Sequence, residues 1–141
     1  HKYARRQWNL VDNKELDYHY LGDFDHDMLS VLKSEKNINK TAVQEIWHND
    51  GDQILAYMRG DLVFVFNFSP SRSYSDYGFL VPEGAYEVML NTDSKLYGGN
   101  GLADDTITHF TNSDKLYAKD HKGWLMLYIP ARSAVVLRRK E

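Results

Sequence analysis

The 141-residue sequence predicts a mostly β protein, an antiparallel β-sandwich preceded by a short helical segment. Three observations predict it. Apolar residues recur at a helical period of about 3.6 as far as Lys36 and at a period near 2 after Asn37-Ile38-Asn39-Lys40. The later part breaks into short alternating segments separated by Gly, Pro, Asn and Asp clusters. Aromatic residues, ten Tyr among them, make up 13% of the chain and favour strands. The expected division is a helical lead-in over residues 1–38 and an all-β domain over residues 39–141.

In chain order, Asp12 is a good N-cap with Glu15 at the capping-box position, which predicts a short first helix with Leu16, His19 and Tyr20 on one side. A second helix is expected to start at Asp25 or Asp27 and to carry Met28, Leu29, Val31 and Leu32 as an apolar stripe that needs cover. Val43–His48 and Gln53–Met58 flank the turn Asn49-Asp50-Gly51-Asp52, and Arg59-Gly60-Asp61 leads into Leu62–Phe68, so three strands form a meander. In the third, Leu62, Phe64, Phe66 and Phe68 share one face and Val63 and Val65 the other. Both faces call for cover, and this strand is the expected centre of the core. Pro70 ends it, because proline has no ladder donor. Pairing resumes near Tyr77–Leu80, and Pro82-Glu83-Gly84 turns the chain into an alternating strand with Tyr86, Val88 and Leu90 on one side. Asn91–Asp105 is a long polar connection, and Ile107–Phe110, Trp124–Ile129 and Ser133–Leu137 supply the remaining strands.

Composition narrows the function. With 43% hydrophobic and 26% charged residues the chain is an ordinary globular protein, and its length suits one core. A net charge of −3 argues against gripping nucleic acid, which needs a dense basic surface; the cluster Arg138-Arg139-Lys140 reads as a solvated end. There is no cysteine, no apolar run of membrane-spanning length and no signal-peptide stretch, so a cytoplasmic location with no nucleic-acid or membrane partner is expected. The start at His1 without an initiator Met suggests a piece of a longer parent.

Motif chemistry is thin. Asp23-Phe24-Asp25-His26-Asp27 imitates the opening of a calcium loop, but Met28 stands at the sixth position, which needs Gly, and Ser34 at the twelfth, which needs Glu; a helix-capping cluster is expected instead. His19, His26, His48, His109 and His121 show no zinc spacing, and no metal site or cofactor is expected. Gly98-Gly99-Asn100-Gly101 lacks the Lys and Ser/Thr of a phosphate loop and reads as a turn, and there is no G-x-S-x-G. Asp76, Asp93, Asp104 and Asp105 lie in polar loops, where Asp usually shapes turns, so no catalytic pair is assigned. The sequons Asn39-Lys40-Thr41 and Asn67-Phe68-Ser69 read as chance matches. Aromatics near loops can stack on a pyranose face: Tyr74, Tyr77, Tyr97, Trp47 and Trp124 are the candidate sugar contacts, against the plainer reading that they pack in the core or against a neighbour.

Read together, residues 3–10 (YARRQWNL), residues 23–28 (DFDHDM), Phe64 through Tyr77 (FVFNFSPSRSYSDY), Leu90 through Gly99 (LNTDSKLYGG) and Tyr128 through Leu137 (YIPARSAVVL) closely resemble the C-terminal region of α-1,4-glucan (glycogen) branching enzymes of the α-amylase superfamily. The resemblance implies a parent that cuts an α-1,4-glucan, holds the released chain on an Asp nucleophile and transfers it to a 6-hydroxyl, forming the α-1,6 branches of glycogen. It places the catalytic Asp, Glu and Asp on barrel strands before the first residue here, so none of them is carried over. Residues 1–38 then match the close of the barrel, and the all-β domain packs against it. The implied role is a non-catalytic domain whose partners are the catalytic barrel of its own chain and, through the parent, glucan. The alternatives are a stand-alone carbohydrate-binding module, the C-terminal domain of another α-amylase-family enzyme, and a protein-interaction sandwich.

Overall fold

The computed structural model of the chain describes residues 18–35 and 42–140. One helix, α1 (Tyr18–Ser34), precedes nine strands: β1 (Gln44–Asn49), β2 (Ile54–Arg59), β3 (Leu62–Asn67), β4 (Tyr74–Pro82), β5 (Ala85–Asn91), β6 (Thr108–Phe110), β7 (Asn112–Ser113), β8 (Lys122–Ile129) and β9 (Ser133–Lys140). The strands form two antiparallel sheets, one in the order β1-β2-β3-β9-β5-β6 and a smaller one in the order β4-β8-β7.

Alternation along β3 explains the layering. Val63 and Val65 point between the sheets and join Phe79, Val81, Tyr86, Leu125, Leu127, Ile129 and Leu137 in the sandwich core. Leu62 and Phe64 point the other way, where with Leu90 and Val136 they meet Val31 of α1, flanked by Met28 and Leu32. Each such side chain contributes about 1.5–3 kcal/mol when fully buried, so β3 anchors both layers.

Several details depart from the sequence expectations. The helix does not begin at Asp25 or Asp27; it is continuous from Tyr18, because Gly22 costs only about 1 kcal/mol relative to Ala inside a helix and no proline stops it. Asp27 caps nothing and gives its carboxylate to Tyr97. Leu29 lies off the apolar stripe and is exposed. In β5 the register shifts between Val88 and Leu90, so Val88 packs in the sandwich core while Leu90 faces α1; the alternation is not continuous through Met89. Arg138-Arg139-Lys140 is only in part a solvated end: Lys140 is exposed, and Arg138 and Arg139 are half-buried. These residues lie in β9, which pairs with β3 on one side and β5 on the other. Arg138 bonds Glu87 at 2.7 Å and lies 3.6 Å from Glu35, tying β9 to β5 and to the residue after α1. Of the first helix expected from Asp12, residues 12–17 fall outside the described residues and His19 and Tyr20 lie in α1; the sequon at Asn39 also falls outside them.

Candidate functional site

The three candidate tyrosines do not share a site. Tyr74 and Tyr77 lie on β4 at the sandwich edge beside β1, with ring centroids 5.4 Å apart in an edge-to-face arrangement. The Tyr74 hydroxyl donates to the Asp52 carbonyl at 2.9 Å, and the Tyr77 hydroxyl donates to Asp52 Oδ2 at 2.9 Å while accepting the Trp47 indole N–H at 2.9 Å. Arg72 donates to the Gly51 carbonyl beneath them. Asp52 thus organises the cluster, a role whose only signal in the sequence was its place in a turn. Trp47 remains 45% exposed. Tyr97 is on the other side of the large sheet, in a single 3-10 turn (Lys95–Tyr97), with its hydroxyl bonded to Asp27 of α1. Burial, and then the Asp27 carboxylate, push the Tyr97 phenol well above its ordinary value. Trp124 donates its indole N–H to Asp114 Oδ2 at 3.0 Å.

The loop acids are structural. Asp93 is the one buried carboxylate among the described residues, 6% exposed, and it accepts the main-chain N–H groups of Asn100, Leu102 and Ala103 at 3.3, 2.6 and 3.2 Å. Gly99 crosses so close that an added Cβ would stand 2.2 Å from the Asp93 carbonyl oxygen. Asp104 accepts both the N–H and the hydroxyl of Thr106, which hold its carboxyl below the usual carboxylate range. Asp76 is exposed with φ 50° at the register shift of β4. Asp23 through Asp27 lie within α1, whose helical backbone cannot wrap an ion as a calcium loop does. No group of three metal-ligating side chains occurs among the described residues, and none of their helices is long and apolar enough to cross a membrane.

Asn67, the acceptor of the second sequon, is 1% exposed. Its amide donates to the carbonyls of Arg72, Ile129 and Pro130, which leaves no room for a glycan.

Two further surfaces stand out among the described residues. A cavity of about 260 Å³ opens between the sheets where the loop after β5 crosses β8, and Asp104 and His109 both border it. On the α1 side of the large sheet, Tyr57 stacks on Phe64 and Phe66 at 4.7 and 5.9 Å, and Phe66 stacks on Phe68 at 5.7 Å. This ladder ends at Phe68, which is 59% exposed.

Residues 46–140 match the family of alpha amylase C-terminal all-beta domains. The chain is 38% identical over its whole length to a 1,4-alpha-glucan-branching enzyme of Saccharomyces cerevisiae and 35% identical over 98% of its length to one of Candida glabrata, covering 20% and 19% of those proteins. It is 39% identical over 79% of its length to a chloroplastic/amyloplastic 1,4-alpha-glucan-branching enzyme of Oryza sativa subsp. japonica, covering 14% of it. The chain therefore spans about a fifth of the length of the curated fungal relatives it matches, in their C-terminal region.

Proposed function

We propose, from the premise that this chain belongs to the alpha-amylase C-terminal all-β domain family, that it serves as the non-catalytic C-terminal domain of a cytoplasmic 1,4-α-glucan-branching enzyme. Its work is to cover apolar surface of the parent's catalytic barrel, with residues 1–38 closing the barrel and residues 39–141 forming the sandwich. The parent forms α-1,6 branches in glycogen.

The observation that carries the reading is the aromatic ladder. A stacked row of Tyr57, Phe64, Phe66 and Phe68 begins under α1 and runs out into solvent, where a ring gains nothing unless a larger neighbour covers it. The single buried acid is fully used by loop amides, so the chain has no pair of desolvated carboxylates for retaining glycosyl transfer among its described residues. Incubating the 141-residue chain with amylose and following α-1,6 linkages by NMR tests the reading. No branching is expected, and real turnover would defeat it.

A second reading gives the domain its own glucan contact at Tyr74 and Tyr77. What favours it is Trp47, an exposed flat ring fixed in place by its hydrogen bond to Tyr77. Tyr97 joins that reading only as a separate contact beside α1. Titrating maltoheptaose against Trp47→Ala and Tyr77→Phe decides it, since loss of binding in both supports the contact.

A further inference from the structure

The sandwich is open at one end, and the opening has the form of a small binding site. Strand β7 has only two residues and pairs with Trp124 and Gly123, so the same edge of β8 has no strand partner from Leu127 to Ile129 among the described residues. The gap between β8 and the large sheet is the 260 Å³ cavity. Its floor is Val88, Leu127 and Val135, which belong to the sandwich core or pack on it. Its roof is the loop that Asp93 and Gly99 hold rigid, and that loop sets Leu102 and Ile107 at the rim, 60% and 48% exposed. Apolar side chains on a pinned loop, turned to solvent at a cavity mouth, have surface that a ligand can cover.

Two polar groups complete the site. Asp104 keeps its carboxylate facing solvent apart from the local bonds to Thr106. His109 sits on β6 opposite Tyr86, half-buried, and no protein hydrogen bond engages its ring among the described residues. Among the described residues no buried side-chain nitrogen or oxygen is left unsatisfied, so the His109 ring nitrogens reach solvent, and the cavity is the space they border. Burial keeps the imidazole below its ordinary value, although Asp104 pulls the other way. A neutral imidazole both donates and accepts, and the carboxylate accepts.

We propose that this cavity is a subsite for one or two glucose units of an α-1,4-glucan, with the apolar face of the pyranose against Val88, Leu127 and Val135 and its hydroxyls on Asp104 and His109. Three features select that ligand class. The cavity is smaller than the roughly 300–1,000 Å³ of drug-sized pockets, which suits one or two sugar rings. An apolar floor with polar groups at the edge matches a pyranose, which is apolar on its faces and hydroxylated at its rim. No Lys or Arg lines the cavity, which disfavours phosphorylated sugars. The choice of an α-1,4-glucan rests on the proposed parent activity.

Titration of the 141-residue chain with maltoheptaose, read by amide NMR shifts, tests the subsite. Saturable shifts at millimolar ligand are expected in Leu102–His109 and Leu127–Ile129. Asp104→Asn and His109→Phe keep size and fold and should each weaken binding by about tenfold, the loss expected when a hydrogen bond to a charged or polar partner goes. Leu116→Ser, at a residue 74% exposed and outside the cavity lining, should leave the affinity unchanged. Shifts centred on Trp47 and Tyr77, unaltered affinity in both cavity variants, or equal binding of cellohexaose would each overturn the proposal. If the variants lose spectral dispersion, the same substitutions are read in the full parent enzyme as loss of amylose affinity without loss of turnover on short chains, and unchanged affinity there overturns it. Branching by the isolated chain would refute the non-catalytic reading and leave this subsite standing, so the two failures are separable.

Discussion

Replacing Asn67 with Ala removes four side-chain hydrogen bonds from a buried site. Asn67 is 1% exposed, donates through Nδ2 to the carbonyls of Arg72, Ile129 and Pro130 at 2.8, 3.2 and 3.1 Å, and accepts the Ser69 N–H on Oδ1 at 2.9 Å. It thereby fastens the loop after β3 to the turn between β8 and β9. A neutral hydrogen bond is worth about 0.5–1.5 kcal/mol net, and a buried partner left unpaired costs about 1–3 kcal/mol. The Pro130 carbonyl keeps the Ser133 hydroxyl as a second donor at 2.6 Å and loses little. Counting the other three contacts gives a loss of about 3 kcal/mol, a large share of the roughly 5–15 kcal/mol that holds a domain together. Asn67→Asp should be at least as damaging near neutral pH, since it sets a carboxylate against three carbonyl oxygens, and it should recover as acid protonates that carboxylate. Urea unfolding followed by tryptophan fluorescence measures both. A loss below about 1 kcal/mol for Asn67→Ala, or an Asn67→Asp variant as stable as the parent sequence at neutral pH, would refute the reasoning.

Other perturbations separate the roles of individual residues. Phe68→Ser should change the stability of the isolated chain by no more than about 0.5 kcal/mol, as exposed substitutions do, yet lower the melting temperature of the parent enzyme, where we expect that ring to be covered; calorimetry on both compares them. Tyr97→Phe removes the bond to Asp27 and should speed hydrogen exchange in α1, with a stability loss of about 1–2 kcal/mol. Glu87 has its folded-state carboxyl lowered, chiefly by the hydrogen bond from Arg138, so its stabilisation is present above the unfolded value and lost as pH falls through the folded one. Glu87→Gln should therefore flatten the decline in stability between about pH 5 and 3 seen by urea titration. Gly99→Ala forces a methyl group into the Asp93 backbone and should abolish maltoheptaose shifts in Leu102–His109 while leaving the core strands protected.

The layers were legible in the sequence because they depend on local periodicity. The two-faced run Leu62–Phe68 announced a strand covered on both sides, and Pro70 and Pro82-Glu83-Gly84 marked where pairing stops. What stayed hidden depends on partners distant in the chain. The shift at Met89 needs the register against β9, and the paired setting of Arg138 needs both neighbours of that strand. At the candidate sites, chemistry was visible residue by residue and geometry was not. Asp93 and Asp104 stood out as loop acids and His109 as an isolated histidine, but nothing in their spacing placed Asp104 and His109 on one cavity or gave Asp93 three amides to hold. Tyr74, Tyr77 and Tyr97 had equal claims until the large sheet came between Tyr97 and the other two.

The position of β9 governs when this protein becomes a protein. The meander β1-β2-β3 and the pair β5-β6 can each form early from neighbouring sequence, but within the sheet they are joined by β9, which lies between β3 and β5. Until residues 133–140 have left the ribosome, the nascent chain carries two half-sheets with raw inner edges, each able to recruit a wrong strand from another copy. Stop codons placed within residues 133–140 should therefore yield aggregates rather than a slightly shortened domain, and assistance by chaperones should be most needed in the interval before β9 emerges.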